Sequence, residues 1–545
     1  MSEVSTFEQQ PASRSQWIFL HLVFWVLYFL LFSPLIAMLG LYVYFQTQRD
    51  PRFRFLVRVL SLVSLVGLLF FWPYELFLKY PETLLPETLF RSLPLIPLAT
   101  VTIELARRVS VFLKPKSLSE RIEEDKKELL KRERRQSQVA KKLEHSQSQN
   151  KAGLLSLGVY IKGDHFPKHT GVYHADRFIH LDQKALDEHF FVLGTTGAGK
   201  SETIKRLIYE VLTKTDRDII LVDGKGEEKL AYDIQRLCEQ NGRGKSPIFK
   251  MGHAQKGDPY NGFVGQDEDI YNRLAAMVGV QEAEGGAAYY ADMNRNILQL
   301  ICSSPLGPPE NFSEAIRRIR KAWLMEAWQD DRDELDNIEE IGDEHLSSLR
   351  NRMLAAARPL KGQVTEEGFV LEDSRSTIFS IRTQSVSDTA QRFLHFLIED
   401  IKDFVGKRQK RPGLLVIDEF GMFGNSNIVA LLSLARSANL GVVLATQDVS
   451  TLGDEDTKRM ILANTNTTLL MLSKFPEEVA EMAGTTYQVE SSFQHEEGET
   501  TGMGSARIQH AYKVDLNEAR RQQPGEAFLI RHGYTAKLRV ALVQE

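Results

Sequence analysis

Residues 190–205 read FFVLGTTGAGKSETIK, and this stretch decides the fold. It opens with four apolar residues, which are typical of a buried strand. GTTGAGKS then matches the pattern GxxxxGK[ST] in full, and residues 202–212 carry apolar side chains at helical spacing. A strand, a glycine-rich loop and a helix in this order predict a phosphate-binding loop in an α/β domain, because backbone N–H groups and the helix N-terminus then face the phosphates.

The motif predicts a role for each polar side chain of this loop. Lys200 is expected to contact the β- and γ-phosphates of ATP, and Ser201 to ligate Mg²⁺. ATP and Mg²⁺ are therefore the expected cofactors. The expected nucleotide-binding residues are Gly194, Thr195, Thr196, Gly197, Ala198, Gly199, Lys200, Ser201 and Glu202.

A second buried-strand pattern, residues 413–419 (GLLVIDE), ends in two acids. Asp418 is expected to hold Mg²⁺ through water, and Glu419 to polarise the attacking water as general base. Two acids at a strand end can also have a purely structural role, as a polar cap on the end of the strand. The phosphate-binding loop upstream favours the catalytic interpretation.

Residues 442–447 (VVLATQ) predict a further strand. Its last residue, Gln447, is expected to sense the γ-phosphate. Arg436, in the helical pattern before this strand, is interpreted either as a finger that reaches a neighbouring subunit's γ-phosphate or as an ordinary surface arginine. Arg459 is a weaker candidate for the same role. The catalytic candidates are thus Lys200, Glu419, Arg436 and Gln447.

Residues 1–113 contain three apolar runs, at about 17–45, 55–73 and 84–105. The first has no Asp, Glu, Lys or Arg, and a helix needs only about 20 residues to cross a bilayer. The third is interrupted by prolines, so an interfacial segment, and hence two spans, remains an alternative. The Arg-rich loop at 46–54 favours three spans with an outside N-terminus, because cytoplasmic loops collect basic residues.

The overall composition, with 43% hydrophobic and 26% charged residues, is that of a folded protein. The formal net charge of −5 is too small to identify a partner. Cys238 and Cys302 lack metal-site spacing and are expected to be reduced, buried thiols. The polar stretch 114–150 carries opposite charges at four-residue spacing, which predicts a solvated connector helix more strongly than a nucleic-acid contact.

Four segments of the chain are informative together: GTTGAGKS (194–201), LVDGKGE (221–227), LLVIDEF (414–420) and ARSANLGVVLATQ (435–447). They resemble the coupling proteins of type IV secretion and conjugation, the TraG/TraD group of the FtsK–HerA class of motors. In LVDGKGE, Gly224 stands where the family's DPKGE segment has proline. DPYN, at 258–261, is similar to an asparagine-containing turn of the family.

The resemblance implies an α/β, RecA-like P-loop motor domain with an inserted all-α domain, preceded by N-terminal transmembrane helices. The motor is expected at 151–265 and 376–545, and the insert at 266–375. Residues 491–504 show no apolar periodicity and predict a mobile loop. Within the insert, apolar periodicity predicts helices at 270–278, 293–301, 312–329 and 343–357.

The family also implies a function and partners. It implies a multi-pass protein of the bacterial inner membrane, with a cytoplasmic motor assembled as a homohexamer. ATP hydrolysis would drive single-stranded DNA, bound to the relaxase in the relaxosome, toward the channel components of the secretion system. Two alternatives stay open: a double-stranded DNA translocase of the FtsK/HerA kind, and a substrate receptor that recruits protein effectors and uses ATP for assembly.

Overall fold

The computed structural model describes residues 118–144, 153–280, 286–384, 387–407, 412–422, 425–496 and 499–543. Residues from 123 onward form one compact unit. The three predicted membrane spans lie outside the described residues. Within the described ranges, no helix has both the length and the apolarity that a bilayer crossing requires.

A twelve-stranded sheet organises this unit, in the order β2-β3-β1-β14-β13-β10-β4-β9-β8-β5-β7-β6. In this spatial order, neighbouring strands from β10 through β4, β9, β8, β5 and β7 to β6 pair in parallel. The remaining pairs are antiparallel. The strands are β1 Leu155–Gly163, β2 Val172–Ala175, β3 Phe178–Leu181, β4 Phe190–Leu193, β5 Asp218–Asp223, β6 Ile248–Met251, β7 Ser376–Ile381, β8 Gly413–Asp418, β9 Leu440–Thr446, β10 Thr467–Leu470, β13 Glu526–Arg531 and β14 Tyr534–Val540.

Helices cover both faces of the parallel strands, and every residue of β4, β5, β8 and β9 is buried. This explains their continuous apolar runs, because a strand buried on both faces has no polar side to alternate with. The helices are α1 Leu118–Leu143, α2 Gln183–Asp187, α3 Lys200–Lys214, α4 Glu228–Gln240, α5 Asp267–Val278, α6 Gly286–Cys302, α7 Phe312–Arg318, α8 Lys321–Ala327, α9 Arg332–Glu340, α10 Asp343–Ala357, α11 Ser387–Lys407, α12 Asn425–Ser437, α13 Glu455–Asn464, α14 Glu477–Met482 and α15 Leu516–Ala519.

The segment between β6 and β7 is helical, with α5 to α10 in succession. The single helix predicted at 312–329 is wrong, because the chain leaves the helical conformation at Ile319 and Arg320 and divides into α7 and α8. Arg320 has φ −147° and ψ 136°, which is extended backbone. The apolar core of these helices is continuous with one face of the sheet and includes Leu298 and Phe379.

A buried ionic cluster fastens α5 to α11. Arg273 donates to Asp400 at 2.8 Å and to Asp403 at 2.6 Å, and it also donates to the carbonyl of Gly262 at 2.9 Å. The Tyr260 hydroxyl donates to Asp400 as well. Burial raises the pKa of Asp400 to about 6. The cluster ties the first helix of the insert to the motor, since separating its partners would leave a buried charge uncompensated.

Residues 485–496 and 499–512 form the two strands of a long hairpin, whereas a mobile loop was predicted at 491–504. Strands β11 (Thr485–Glu496) and β12 (Glu499–Tyr512) pair along their length and make a separate two-stranded sheet. The prediction was wrong because it relied on the apolar alternation of a half-buried strand. A hairpin outside the main sheet satisfies its backbone by cross-strand pairing without that alternation.

The C-terminal turns of α1 pack on the motor. Ala140 is fully buried, and the Ser137 hydroxyl donates to Glu526 Oε1 at 2.7 Å. Glu144, just after the helix, pairs with Arg539 of β14. The description as a solvated connector therefore fits the exposed residues 124–132 and not the docked end.

Candidate active site

The phosphate-binding loop connects the end of β4 to the start of α3. Gly197 and Gly199 have φ of +80° and +106°, a region that side chains rarely adopt. A Cβ on Gly199 would lie 3.1 Å from the nitrogen of Gly525, which is too close for ordinary packing. The glycines are therefore required by the turn itself and by the chain packed beneath it, and the cradle fits a row of phosphates.

Lys200 lies in the mouth of this loop. Its Nζ donates to the carbonyl oxygen of Gly194 at 2.6 Å. Burial lowers the pKa of Lys200, and the carboxylates of Asp418 and Glu419 oppose that shift. The loop thus holds a cation beside two acids, as the motif predicts.

A hydrogen-bonded chain joins the loop to the ends of β9 and β8. The Thr196 hydroxyl donates to Gln447 Oε1 at 2.8 Å, and Gln447 Nε2 donates to Glu419 Oε2 at 3.0 Å. The sheet brings these residues together, because β9 lies between β4 and β8 and all three strands are parallel. Gln447 therefore bridges the phosphate-binding loop and the predicted base.

Glu419 adopts φ +59°, which is unusual for a residue other than glycine, asparagine or aspartate. Its N–H donates to Asp418 Oδ1 at 3.0 Å. This turn directs the carboxylate toward Gln447 and away from the strand. Backbone strain of this kind concentrates at functional sites, where the surrounding structure enforces it.

Asp418 and Asp223 are partners in register at the carboxyl ends of β8 and β5. Burial raises the pKa of Asp418 to about 6, and burial together with the nearby Asp418 charge raises the pKa of Asp223 to about 7. The Asp223 carboxylate accepts the N–H groups of residues 225, 226 and 227, at 2.9, 3.1 and 2.7 Å. Among the described residues, the Asp418 carboxylate accepts one N–H, that of Glu419 through Oδ1, and so its other oxygen can serve a cation.

Ser201 and Asp418 present a hydroxyl and a carboxylate oxygen, the hard ligands that Mg²⁺ prefers, so the residues fit the predicted metal. Ser201 lies half-buried in the first turn of α3. Glu202 pairs with Lys205 at 3.3 Å on the same helix. Its predicted contact with the nucleotide stays a prediction.

Two basic residues near this edge were not singled out from the sequence. Lys225 forms an ion pair with Glu227. This pair raises the pKa of Lys225 although burial opposes the rise, and the nearby Asp418 charge adds to it. Arg382 follows β7 and packs on Gly226, where an added Cβ would lie 2.5 Å from the arginine Cγ. The LVDGKGE segment was the available signal for Lys225, whereas Arg382 is brought here only by the β5–β7 pairing.

Arg436 is not brought to the other catalytic candidates within one chain. It is exposed in the last turn of α12, which leads into the amino end of β9, whereas Gln447 follows the carboxyl end of that strand. The two residues therefore lie at opposite edges of the sheet. Arg459 is exposed on α13. Their roles as fingers stay predictions.

Two segments of the chain match known families. Residues 412–520 match the family described as "TraM recognition site of TraD and TraG", and residues 174–252 match the family described as "Helicase HerA, central domain". The resemblance to the TraG/TraD group of the HerA–FtsK class is confirmed. The two matches lie on either side of the helical insert of this TraG/TraD-like chain. No curated protein matches the sequence.

Solved structures share the fold. The "Bacterial conjugative coupling protein TrwBdeltaN70" in an unbound form is 17% identical, with 73% of this chain and 99% of that chain covered and a TM-score of 0.51. TrwB with the ATP analogue ADPNP is 17% identical, covers 72% and 96%, and has a TM-score of 0.50. TrwB with ADP and Mg²⁺ is 17% identical, covers 73% and 97%, and has a TM-score of 0.51. The predicted α/β, RecA-like motor with a helical domain is thereby confirmed.

Proposed function

We propose that this chain is an inner-membrane coupling ATPase of a conjugative type IV secretion system. It would link the relaxosome to the secretion channel and drive single-stranded DNA by ATP hydrolysis. The observation that carries the proposal is the hydrogen-bonded chain Thr196–Gln447–Glu419, beside Lys200, in a sheet whose later strands match the TraD and TraG family. Similar structures hold an ATP analogue or ADP with Mg²⁺, which supports both cofactors here.

Nucleotide binding uses the loop N–H groups and Lys200. The Lys200 ammonium, bonded to Gly194 in this structure, exchanges that carbonyl for phosphate oxygens when ATP binds. Ser201, together with Asp418 through water, would hold Mg²⁺, and the ion would supply positive charge against the phosphates. Its charge would also keep Asp418 ionised despite burial.

Hydrolysis uses Glu419 as the general base. Glu419 accepts a proton from the attacking water as the water oxygen bonds to the γ-phosphorus, and the bond from the γ-phosphorus to the β–γ bridging oxygen breaks to release ADP and phosphate. The Gln447 amide fixes the orientation of this carboxylate, and its other end contacts Thr196 of the loop. Loss of the γ-phosphate can therefore be transmitted along Thr196 and Gln447 to β9.

The larger assembly is part of the same proposal. Residues 1–113 would anchor the chain through three spans and leave the motor in the cytoplasm. Arg436 is exposed at the opposite sheet edge of its own chain, so a finger role requires a neighbouring subunit, as in a homohexamer. The helical insert and the β11–β12 hairpin are the proposed DNA-contacting elements.

The match of residues 174–252 to the HerA central domain favours a second candidate, a double-stranded DNA translocase. Hydrolysis by the purified full-length chain, measured with no DNA, single-stranded DNA and double-stranded DNA, separates the two. The coupling ATPase predicts stimulation chiefly by single strands, with stimulation that weakens as salt is raised. Lys200→Ala and Glu419→Gln should abolish it.

Chief stimulation by double strands would favour the HerA-like candidate. No stimulation by either DNA would contradict both motors. If plasmid transfer then remained normal with Lys200→Ala, the chain would be a substrate receptor instead.

A further inference from the structure

A cavity of about 780 Å³ opens on the helical insert. It is formed by α7, by the C-terminal end of α10 and by the return loop (residues 358–369), through which the chain leaves the insert. Volumes of about 300–1,000 Å³ are typical of ligand sites. The cavity floor is apolar and consists of Phe312, Ile316, Leu354 and Leu360.

Three cations lie on the return-loop side of this pocket. Arg358 and Lys361 line the cavity, and both are exposed. Lys256, in the loop after β6, lies against the same segment, because a Cβ on Gly362 would be 3.4 Å from the lysine Nζ. Among the described residues, none of the three side chains has an ion pair or a hydrogen bond. These charges are therefore available to an anionic ligand.

Two acids occupy another part of the rim. Glu366 accepts a hydrogen bond from Asn311, which caps α7 by accepting the N–H of Glu314 at 2.8 Å. Glu367 follows and is exposed. Because like charges repel, these acids direct an anionic group to the cationic side. The pocket thus fits a ligand that combines an apolar body with a negative charge at one end.

The return loop is hydrogen-bonded to the DPYN turn of the motor. The Tyr260 N–H donates to the Gln363 carbonyl at 2.8 Å, and the Thr365 N–H donates to the Tyr260 carbonyl at 3.0 Å. Asn261 Nδ2 donates to the carbonyl of Glu366 at 3.0 Å. The turn follows β6, a strand of the sheet that carries the phosphate-binding loop. One wall of the pocket is therefore attached to the motor.

We propose that this pocket binds an unstacked nucleotide of single-stranded DNA, with the base on the apolar floor and the phosphate at Arg358, Lys361 and Lys256. This inference rests on the proposed function, in which a single strand is the substrate, and assigns a subsite to that strand. Unstacking a base costs least in a single strand, so a duplex should bind here more weakly. Apolar contact tolerates every base, which suits a strand of any sequence.

Salt dependence tests the cationic side. Anisotropy of a labelled single strand gives its Kd for the full-length chain in detergent. Each of Arg358→Ala, Lys361→Ala and Lys256→Ala should raise Kd about fivefold at about 0.1 M salt and reduce the steepness of log Kd against log salt by about 0.7, the effect of one phosphate contact. Lys245→Ala is the matched control, because this exposed lysine lies before β6, at the opposite end of the strand that Lys256 follows. It should leave both quantities unchanged.

A tethered base tests the apolar floor. Ser313 is exposed on α7 and lines the pocket. Cys238 and Cys302 are buried, so Ser313→Cys introduces an accessible thiol against an unreactive background. A single strand whose base carries a disulfide-activated thiol should be captured by this variant, and the same strand in a duplex should not. Ser348→Cys, exposed on α10 outside the pocket, is the control and should capture little.

Unchanged Kd and salt dependence in the three alanine variants would overturn the subsite, as would equal capture at Ser313→Cys and Ser348→Cys or equal capture of duplex. Hydrolysis stimulated by single strands would then still support the proposed function. Wild type that neither binds single strands nor is stimulated by them would overturn both. Loss of plasmid transfer in the alanine variants, with single-strand binding unchanged, would assign the pocket to an acidic protein partner instead.

Discussion

The two sides of the phosphate-binding loop differ in how their polar groups are satisfied. On the β9 side, Thr196, Gln447 and Glu419 form a continuous hydrogen-bonded chain before any ligand arrives. On the other side, the Gln522 side chain is buried with no hydrogen-bond partner among the described residues, and Phe475 is exposed. The difference indicates that polar groups on the side assigned to chemistry are already oriented by one another, whereas the opposite side lacks such a network around Gln522.

The β9 side also contains two buried acids that are unfavourable to ionise. Asp418 and Asp223 are adjacent, buried acids with raised pKa values, and both would be favoured by a bound cation. A bound Mg²⁺ would therefore favour the ionised form of both acids.

The largest expected effect is that of Lys200→Ala. Removing the only ammonium that the motif places on the phosphates should weaken ATP binding by about a hundredfold or more. The ATP-dependent increase in Tm, measured with Mg²⁺, should disappear. Lys229→Ala, an exposed lysine on α4, is the control and should keep the increase. A normal increase in Lys200→Ala would contradict the assignment of this loop.

Glu419→Gln should separate chemistry from binding. The amide cannot accept a proton, so kcat should fall by about a hundredfold or more, while the Kd of ATP changes little. Single-turnover hydrolysis and nucleotide titration measure the two quantities. A kcat within a factor of a few of wild type would assign the general base elsewhere.

Asp418→Asn should change how stability depends on pH. The folded pKa values of about 6 for Asp418 and about 7 for Asp223 lie above their ordinary value of 3.8. The folded state therefore binds these protons more tightly than the unfolded state, and its stability falls as pH rises from about 4 through 7. The substitution should flatten this fall and stabilise the apo protein at pH 8 by on the order of 1–3 kcal/mol.

Thermal unfolding of wild type and Asp418→Asn between pH 5 and pH 8 checks this. Mg²⁺ with ATP should raise the wild-type Tm at pH 8 more than that of the variant. Parallel pH curves for the two proteins would contradict the buried charge pair.

Thr196→Val should have the smallest effect. It removes one exposed hydrogen bond to Gln447, worth about 0.5–1.5 kcal/mol, so kcat should fall roughly two- to tenfold with ATP binding retained. Thr195→Val is the matched control on the other side of the loop, where the hydroxyl donates to the Leu472 carbonyl. Equal losses of kcat in both variants would remove the distinction between the two sides.

The sequence alone predicted those parts of the site that lie within short, continuous motifs. GTTGAGKS predicted the strand, loop and helix around Lys200, and the acids at the end of β8 and the glutamine after β9 were predicted at strand ends. Their grouping follows from parallel pairing, which places carboxyl ends at one edge. Their catalytic roles stay predictions until measured.

Other features depend on contacts between distant segments. Asp223 meets Asp418 only because β5 pairs with β8, and no local pattern specifies that strand order. The break between α7 and α8 lies within an apolar periodicity that continues across it. Gln522 has no motif, and its burial becomes visible only once the α15–β13 loop is placed against the phosphate-binding loop.

The most direct test of the account is an experimental structure of the full-length chain with Mg²⁺ and a non-hydrolysable ATP analogue. It should show Lys200 Nζ released from the Gly194 carbonyl and bound to phosphate oxygens, with Mg²⁺ held by Ser201 directly and by Asp418 directly or through water. Glu419 should contact a water in line with the γ-phosphorus. Phosphates bound away from residues 194–201, or Lys200 still bonded to Gly194 beside a bound nucleotide, would contradict it.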